Sequence, residues 1–167
     1  MTLEELNAFP VKAAERELAK CCGSTRWTAA MVARRPFQSL QQLLLAADDV
    51  WWSLDGGDWL EAFSHHPRIG ERPAGWAKDE QSGARGASAG TLKRLADLNH
   101  AYERKFTHVF LICATGKSAD EMLNNLERRM RSEPAAELRI AAVEQAKITR
   151  LRLEKLLAQS SATSRAR

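Results

Sequence analysis

His66, Glu80 and Arg152 are the side chains of this sequence whose types and settings fit proton transfer and anion binding. His66 precedes Pro67, which lacks a backbone N–H and holds its predecessor to extended angles, so the imidazole stands where regular structure must stop. An imidazole titrates near neutrality and suits general acid–base work. On position alone, a helix-end histidine bonded to a carbonyl is the commoner arrangement. Glu80 and Gln81 lie in Lys78-Asp79-Glu80-Gln81-Ser82-Gly83-Ala84. The carboxylate could orient His66 or take a substrate proton, and the amide could recognise N–H and C=O groups; a solvated turn fits the same spacing. Stepping about 100° per residue puts Arg152 near the middle of the stripe Leu138, Ala141, Ala142, Ile148 and Leu156. A guanidinium on an apolar face needs a partner. A carboxylate ligand satisfies that need, and so, equally well, does an internal ion pair or a snorkelling side chain.

The elements that must carry these groups are helices. Thr2 with Glu5 forms a capping box for a first helix, Pro10 opens a second that Gly23 closes, and Ser24–Ala33 forms a third. Arg35-Pro36-Phe37 is a turn. Ser39 caps a helix with Leu40, Leu43, Leu44, Ala47 and Trp51 at helical spacing. Residues 55–58 read as a turn, and Trp59–Phe63 as a short helix running into His65-His66-Pro67. Residues 67–90 hold two prolines and five glycines with little periodicity, a long irregular loop with one or two helical turns over Lys78–Ala84. From Thr91 a strong helix places Leu92, Leu95, Leu98, Tyr102 and Phe106 on one face. Val109–Ala114 has strand-like composition but no partner strand, so it reads as a buried extended link. The backbone edge of Phe110, Leu111, Ile112, Cys113 and Ala114 then offers donors and acceptors to a small heterocycle, or else closes local bonds within a packed core. Ser118 with Glu121 forms another capping box, and Pro134 opens a last helix to about Leu157. The expected architecture is all-α: a single helical-bundle domain over 1–158 with one long irregular loop, one extended segment and a frayed tail at 159–167.

With 44% apolar and 28% charged residues, the 167-residue chain has a globular composition and can bury a core without staples. The net charge of +4 permits an anionic ligand. Its basic clusters are short (Arg34-Arg35; Arg128-Arg129 and Arg131; Arg150 and Arg152) and form neither a dense stripe nor a nucleic-acid module. No stretch approaches the roughly 20 apolar residues of a membrane span, and the N-terminal segment lacks the pattern of a secretory signal. Three cysteines, two of them adjacent, fit free thiols in a reducing compartment, and a cytoplasmic location follows. Neither metal-ligand spacing, a phosphate loop, a dinucleotide fingerprint nor a nucleophile elbow occurs.

Taken in order, several short pieces resemble one enzyme family. They are Arg35-Pro36-Phe37; His66-Pro67-Arg68-Ile69-Gly70; Glu80-Gln81-Ser82-Gly83-Ala84; Leu98-Asn99 with Tyr102, Phe106 and Phe110–Ala114; and Glu137-Leu138 with Ile148 and Arg152-Leu153. Together they are similar to the OHCU (2-oxo-4-hydroxy-4-carboxy-5-ureidoimidazoline) decarboxylases of uric acid degradation. The resemblance implies an all-helical, homodimeric, cofactor-free enzyme acting on a small anionic ureide, while the sequence patterns above lead to the expectation of no metal and no nucleic-acid or membrane partner. It implies His66 as catalytic acid/base and Glu80 as its carboxylate partner. It implies Arg152 as a substrate-binding arginine, with Pro67, Ala77, Lys78, Asp79, Glu80, Gln81 and Phe110, Leu111, Ile112, Cys113 and Ala114 as further substrate contacts. The sequence departs from the family pattern in a shorter stretch between His66 and Glu80, and in Phe106-Thr107-His108-Val109-Phe110 where an FGFPF-type run is usual.

The implied reaction is decarboxylation to (S)-allantoin and CO2, in which the substrate's own C=N group takes up the electrons of the broken bond. A basic helical module binding an acidic protein or nucleic acid is the rival from another class and demands steep salt sensitivity. A neighbouring ureide-ring hydrolase is the rival among enzymes.

Overall fold

The computed structural model describes residues 1–70 and 75–158. The expected frayed tail at 159–167 and residues 71–74 of the long loop lie outside the described residues. Nine α-helices and one 3-10 turn, with no strand, occur among the described residues: α1 (Leu3–Ala8), α2 (Val11–Ala19), α3 (Thr25–Ala33), α4 (Leu40–Ser53), α5 (Gly56–Ser64), α6 (Trp76–Glu80), the 3-10 turn Ser82–Ala84, α7 (Ala89–Phe106), α8 (Ala119–Arg129) and α9 (Pro134–Ala158). The all-α class therefore holds. None of these helices is long and apolar enough to cross a membrane.

Packing divides the chain into two compact units, Met1–Ala62 with the chain from Ala146 onward, and Phe63–Gln145. In the first unit, α2 packs on α3 and α3 on α4. Trp27 and Trp51 are buried there with Leu6, Leu18, Met31 and Leu43. Two indole N–H groups find carbonyls, as buried indoles require: Trp27 Nε1 donates to Ala47 O at 3.1 Å, and Trp59 Nε1 to Trp51 O at 3.2 Å. The Arg35-Pro36-Phe37 turn closes the end of α1. Arg35 Nη1 donates to the carbonyls of Leu6 (2.8 Å) and Phe9 (2.7 Å), and the Asn7 amide brackets the Phe37 backbone, accepting at 2.9 Å and donating at 2.8 Å. These bonds satisfy the carbonyls that a helix C-terminus leaves open, so this motif is structural in the first unit.

Several boundaries differ from the sequence reading. α2 ends at Ala19, before Gly23, because the chain turns over Lys20–Cys22 and buries both Cys21 and Cys22, which adjacent helical positions seldom achieve together. Residues 56–58 are helical, not a turn: Asp55 Oδ1 accepts from the amides of Gly57 (2.9 Å) and Asp58 (3.2 Å), so α5 starts at Gly56. α7 starts at Ala89, where Ser88 Oγ accepts from Thr91 N. On α7 the buried positions are Leu95, Asn99, Tyr102 and Phe106, at i, i+4, i+7 and i+11; Leu92, expected on that face, is 36% exposed.

The second unit is built on α7 packed against α8. Its core combines Ile69, Leu95, Tyr102, Phe106, Phe110, Ile112, Met122 and Leu126. Val109–Ala114 belongs to neither a helix nor a strand and is buried from Phe110 onward, in keeping with the buried link its composition indicated. The capping boxes of α1 and α8 are both complete, Thr2 with Glu5 and Ser118 with Glu121.

Candidate active site

His66 follows α5, and its amide donates to Phe63 O at 3.1 Å, closing the last turn of that helix before Pro67 ends it. The residues beyond are laid along α7. Asn99 Nδ2 donates to Ile69 O at 2.9 Å, and Arg68 pairs with Glu103 through two guanidinium nitrogens, Nε to Oε1 and Nη2 to Oε2 at 2.9 Å. Asn99 and Glu103 are one helical turn apart, so a single face of α7 holds the His66–Gly70 turn. Arg68 keeps the Glu103 carboxyl below its ordinary range. The half-buried ring of His66 lies with Nε2 2.8 Å from Oε1 of Gln145, a fully buried residue of α9.

The second half of the long loop returns to the same turn. Ala77 and Gln81 are buried one turn apart, while Lys78 and Asp79 face solvent and Glu80 is half-buried at the end of α6. Gln81 Oε1 accepts from Gly70 N at 3.1 Å, which ties Gln81 to the His66–Gly70 turn. Gln81 therefore has a structural task, and what it can offer a ligand is the NH2 end of its amide. Gly83 lies against the backbone: a Cβ there would come within 1.9 Å of Lys117 O. Only glycine lets the 3-10 turn approach the start of α8 this closely.

Phe110–Ala114 is buried throughout, no residue exceeding 7% exposure. Side chains satisfy part of its backbone. Glu144 Oε2 accepts from Cys113 N at 2.7 Å, Lys117 Nζ donates to Cys113 O at 3.0 Å, and Arg129 Nη1 donates to Leu111 O at 2.6 Å. Arg129, with its guanidinium carbon 4.7 Å from the centre of the Phe110 ring, is itself paired with Glu137, its Nε donating to Oε1 at 2.7 Å. Its Nη2 lies 2.6 Å from the same oxygen but is too poorly aligned for a hydrogen bond. Tyr102 OH also donates to that oxygen, while Oε2 has no partner. Burial, then the bond to Glu137, pushes the Tyr102 hydroxyl far above its ordinary range, so it remains a donor. The pair is almost fully buried. Removing one member of such a pair typically costs about 3–5 kcal/mol, because the other charge stays buried and unpaired. This network fixes the extended segment where a neighbouring strand would otherwise have to.

Arg152 belongs to the first unit. It is half-buried on α9, and Nη1 lies 3.4 Å from Lys20 O, the C-cap residue of α2. Its charge also bears on the neighbouring thiols of Cys21 and Cys22, although burial dominates both and pushes each up to about 12.

The structure thus gathers the His66 turn, Gln81 and the Phe110–Ala114 segment around α7 and the first part of α9. Three residues that hold them escaped the sequence reading as site residues: Gln145, Glu144 and Arg129. Gln145 carried a usable signal, since it sits between Ala141, Ala142 and Ile148 in the same apolar stripe that drew attention to Arg152.

Known proteins resemble the chain over most of its length. The family model for OHCU decarboxylase matches residues 7–154. The chain is 41% identical over 157 residues to the uric acid degradation bifunctional protein TTL of Arabidopsis thaliana, covering 88% of this chain and 48% of that protein. It is 36% identical over 77 residues to the 2-oxo-4-hydroxy-4-carboxy-5-ureidoimidazoline decarboxylase of Amia calva, covering 46% of this chain and 44% of that one. The chain thus spans about half the length, or less, of these curated relatives. Among solved structures it is similar to an OHCU decarboxylase crystallised in the presence of (S)-allantoin, at 42% identity and a TM-score of 0.78, covering 85% of this chain and 97% of that chain. With helices, ordered motifs and family model in agreement over most of its length, the chain belongs to the OHCU decarboxylase family.

Proposed function

We propose that the protein decarboxylates 2-oxo-4-hydroxy-4-carboxy-5-ureidoimidazoline to (S)-allantoin and CO2, a step of uric acid degradation, without a cofactor and as a cytoplasmic homodimer. The observation that carries this reading is the anchoring of His66: a family motif residue held by a proline, a turn laid on α7 and a bond to a fully buried amide. An imidazole fixed in this way suits directed proton transfer, where orientation supplies much of the rate. The three cysteines, all buried and none in a disulfide, fit the proposed compartment, and the dimer rests on the family resemblance.

The chemistry asks little else of a protein. As the carboxylate departs as CO2, the electron pair of the broken C–C bond forms a C=C bond to the neighbouring ring carbon. The C=N pair moves onto nitrogen, which takes a proton. The resulting enol surrenders its hydroxyl proton, and the carbon bearing the ureido group receives one on a single face, which sets the S configuration. His66 moves one proton, and Glu80 is the carboxylate that takes another from the substrate. The Gln81 NH2 and the Phe110–Ala114 backbone hold the ureide edges. Pro67 and Ala77 form part of the wall, with Lys78 and Asp79 at the solvent side. Arg152 is assigned to the substrate carboxylate, because a guanidinium fork matches that group.

Generating the unstable substrate in situ from urate, and following optical activity together with CO2, tests the reading. The expected outcome is fast, CO2-releasing formation of the S product; ring opening without CO2 would favour a hydrolase instead. Arg152→Leu should raise KM at least about tenfold, by the loss of a charge-assisted contact. Unchanged saturation behaviour would remove Arg152 from the site.

A further inference from the structure

We propose that Gln145 is a positioning residue of this reaction, holding His66 with its hydrogen on Nε2 so that Nδ1 is the nitrogen that accepts the proton. The kinetic part of this inference rests on the decarboxylase reading; the tautomer does not.

The argument begins with the amide. Gln145 is completely buried on α9 between Ala141, Ala142 and Ile148, all buried themselves. An apolar side chain would fill that position without desolvating a polar group, and a buried amide is tolerated only where its polar atoms are bonded. Its Oε1 lies 2.8 Å from His66 Nε2. An amide oxygen can only accept, so the ring nitrogen facing it must donate. In a neutral imidazole that choice leaves the lone pair on Nδ1.

The neighbouring residue makes the placement more specific. Glu144 Oε2 takes the Cys113 amide at 2.7 Å. Consecutive helical residues project about 100° apart, so one step along α9 holds two different pieces of the candidate site, the His66 turn and the extended segment. The imidazole is further restrained by its own backbone, whose amide closes α5 and whose angles Pro67 limits. Position, ring orientation and tautomer are therefore set by separate groups, as an orienting carbonyl or carboxylate does behind other working histidines.

The test uses the full chain and begins with the wild type, so it does not depend on a variant folding. Ring 15N signals of His66, assigned by their loss in His66→Asn, should show a protonated Nε2 and an unprotonated Nδ1 in the neutral form. Gln145→Met keeps the volume and the helix but removes the acceptor. It should move both nitrogens toward the averaged values of a mixed tautomer and lower kcat about ten- to a hundredfold, with KM within about twofold. Gln145→Glu returns an oxygen to the same place and should restore the Nε2–H signature and part of kcat. A wild-type ring with its hydrogen on Nδ1, or a Gln145→Met protein with the wild-type ring spectrum and wild-type kcat, would overturn the proposal. A wild type that holds this tautomer yet forms no (S)-allantoin would overturn the decarboxylase reading, not the assignment of Gln145 to His66.

Discussion

His108 lies in the Phe106-Thr107-His108-Val109-Phe110 run, and its ring is enclosed by aromatic neighbours. Phe63, Tyr102 and Phe106 lie 5.3, 5.5 and 6.3 Å from it between centroids, and its Nδ1 is 2.9 Å from Val109 O. Burial lowers its pKa from the ordinary 6.5, and Arg129 pushes the same way, while the Val109 carbonyl and Glu137 push back. The sign for stability follows from linkage. Above the unfolded value of about 6.5 the ring is neutral in both states and costs nothing. As pH falls through that value the unfolded chain takes a proton that the folded ring resists, so stability drops until the folded ring also titrates. A urea midpoint measured from about pH 7 to 5 should fall less in His108→Phe than in the wild type; parallel curves would show that His108 contributes nothing to the acid sensitivity. His66, Glu80 and Arg152 drew attention in the sequence by type and setting, but local setting left a structural role open for each, and only the family resemblance attached chemistry to them. Asn99 was visible only as a motif letter, since nothing local shows that its amide holds the Ile69 carbonyl.

Elements were readable where their boundaries are written in side-chain chemistry. Both capping boxes formed as expected, because a hydroxyl and a carboxylate three residues apart satisfy helix-end amides whatever lies beyond them. Boundaries set by tertiary bonds were less visible. α7 buries Asn99, whose amide holds the Ile69 carbonyl, while Leu92, on the same face near the start of the helix, stays exposed. The Glu80-Gln81-Ser82-Gly83-Ala84 motif makes the sharpest prediction at this scale. Gly83→Ala drives a Cβ into the Lys117 carbonyl, a backbone group that cannot swing aside. It should cost on the order of 1–3 kcal/mol, the usual penalty of overpacking, and should deprotect the 76–84 segment in amide exchange. Gly90→Ala is the control: it lies in the first turn of α7, its nearest neighbour would be Ser88 Oγ at 3.8 Å, and it should be neutral or slightly stabilising. Equal stability of the two variants would show that the 3-10 turn does not need glycine at 83.

For the whole molecule, the order of the motifs was more informative than any one of them, and it matches the span recognised as OHCU decarboxylase, residues 7–154. The division into two compact units was not visible in the sequence, because hydrophobic periodicity shows which face of a helix is buried but not which helices share a core. The basic clusters also look different once folded. Arg35 is directed onto the carbonyls of α1, Arg34 pairs with Asp49, and Arg129 is buried against Glu137. A modest excess of charge, partly turned inward, suits one small anion better than a polyanion. The central claim is that His66 moves the proton of the reaction, and a purified His66→Asn variant, given substrate made in situ from urate, tests it most directly. The rate of stereoselective (S)-allantoin formation should fall at least about a hundredfold, the usual contribution of a positioned acid–base group, with the fold retained by circular dichroism; a variant that forms the S product at the wild-type rate would contradict the account.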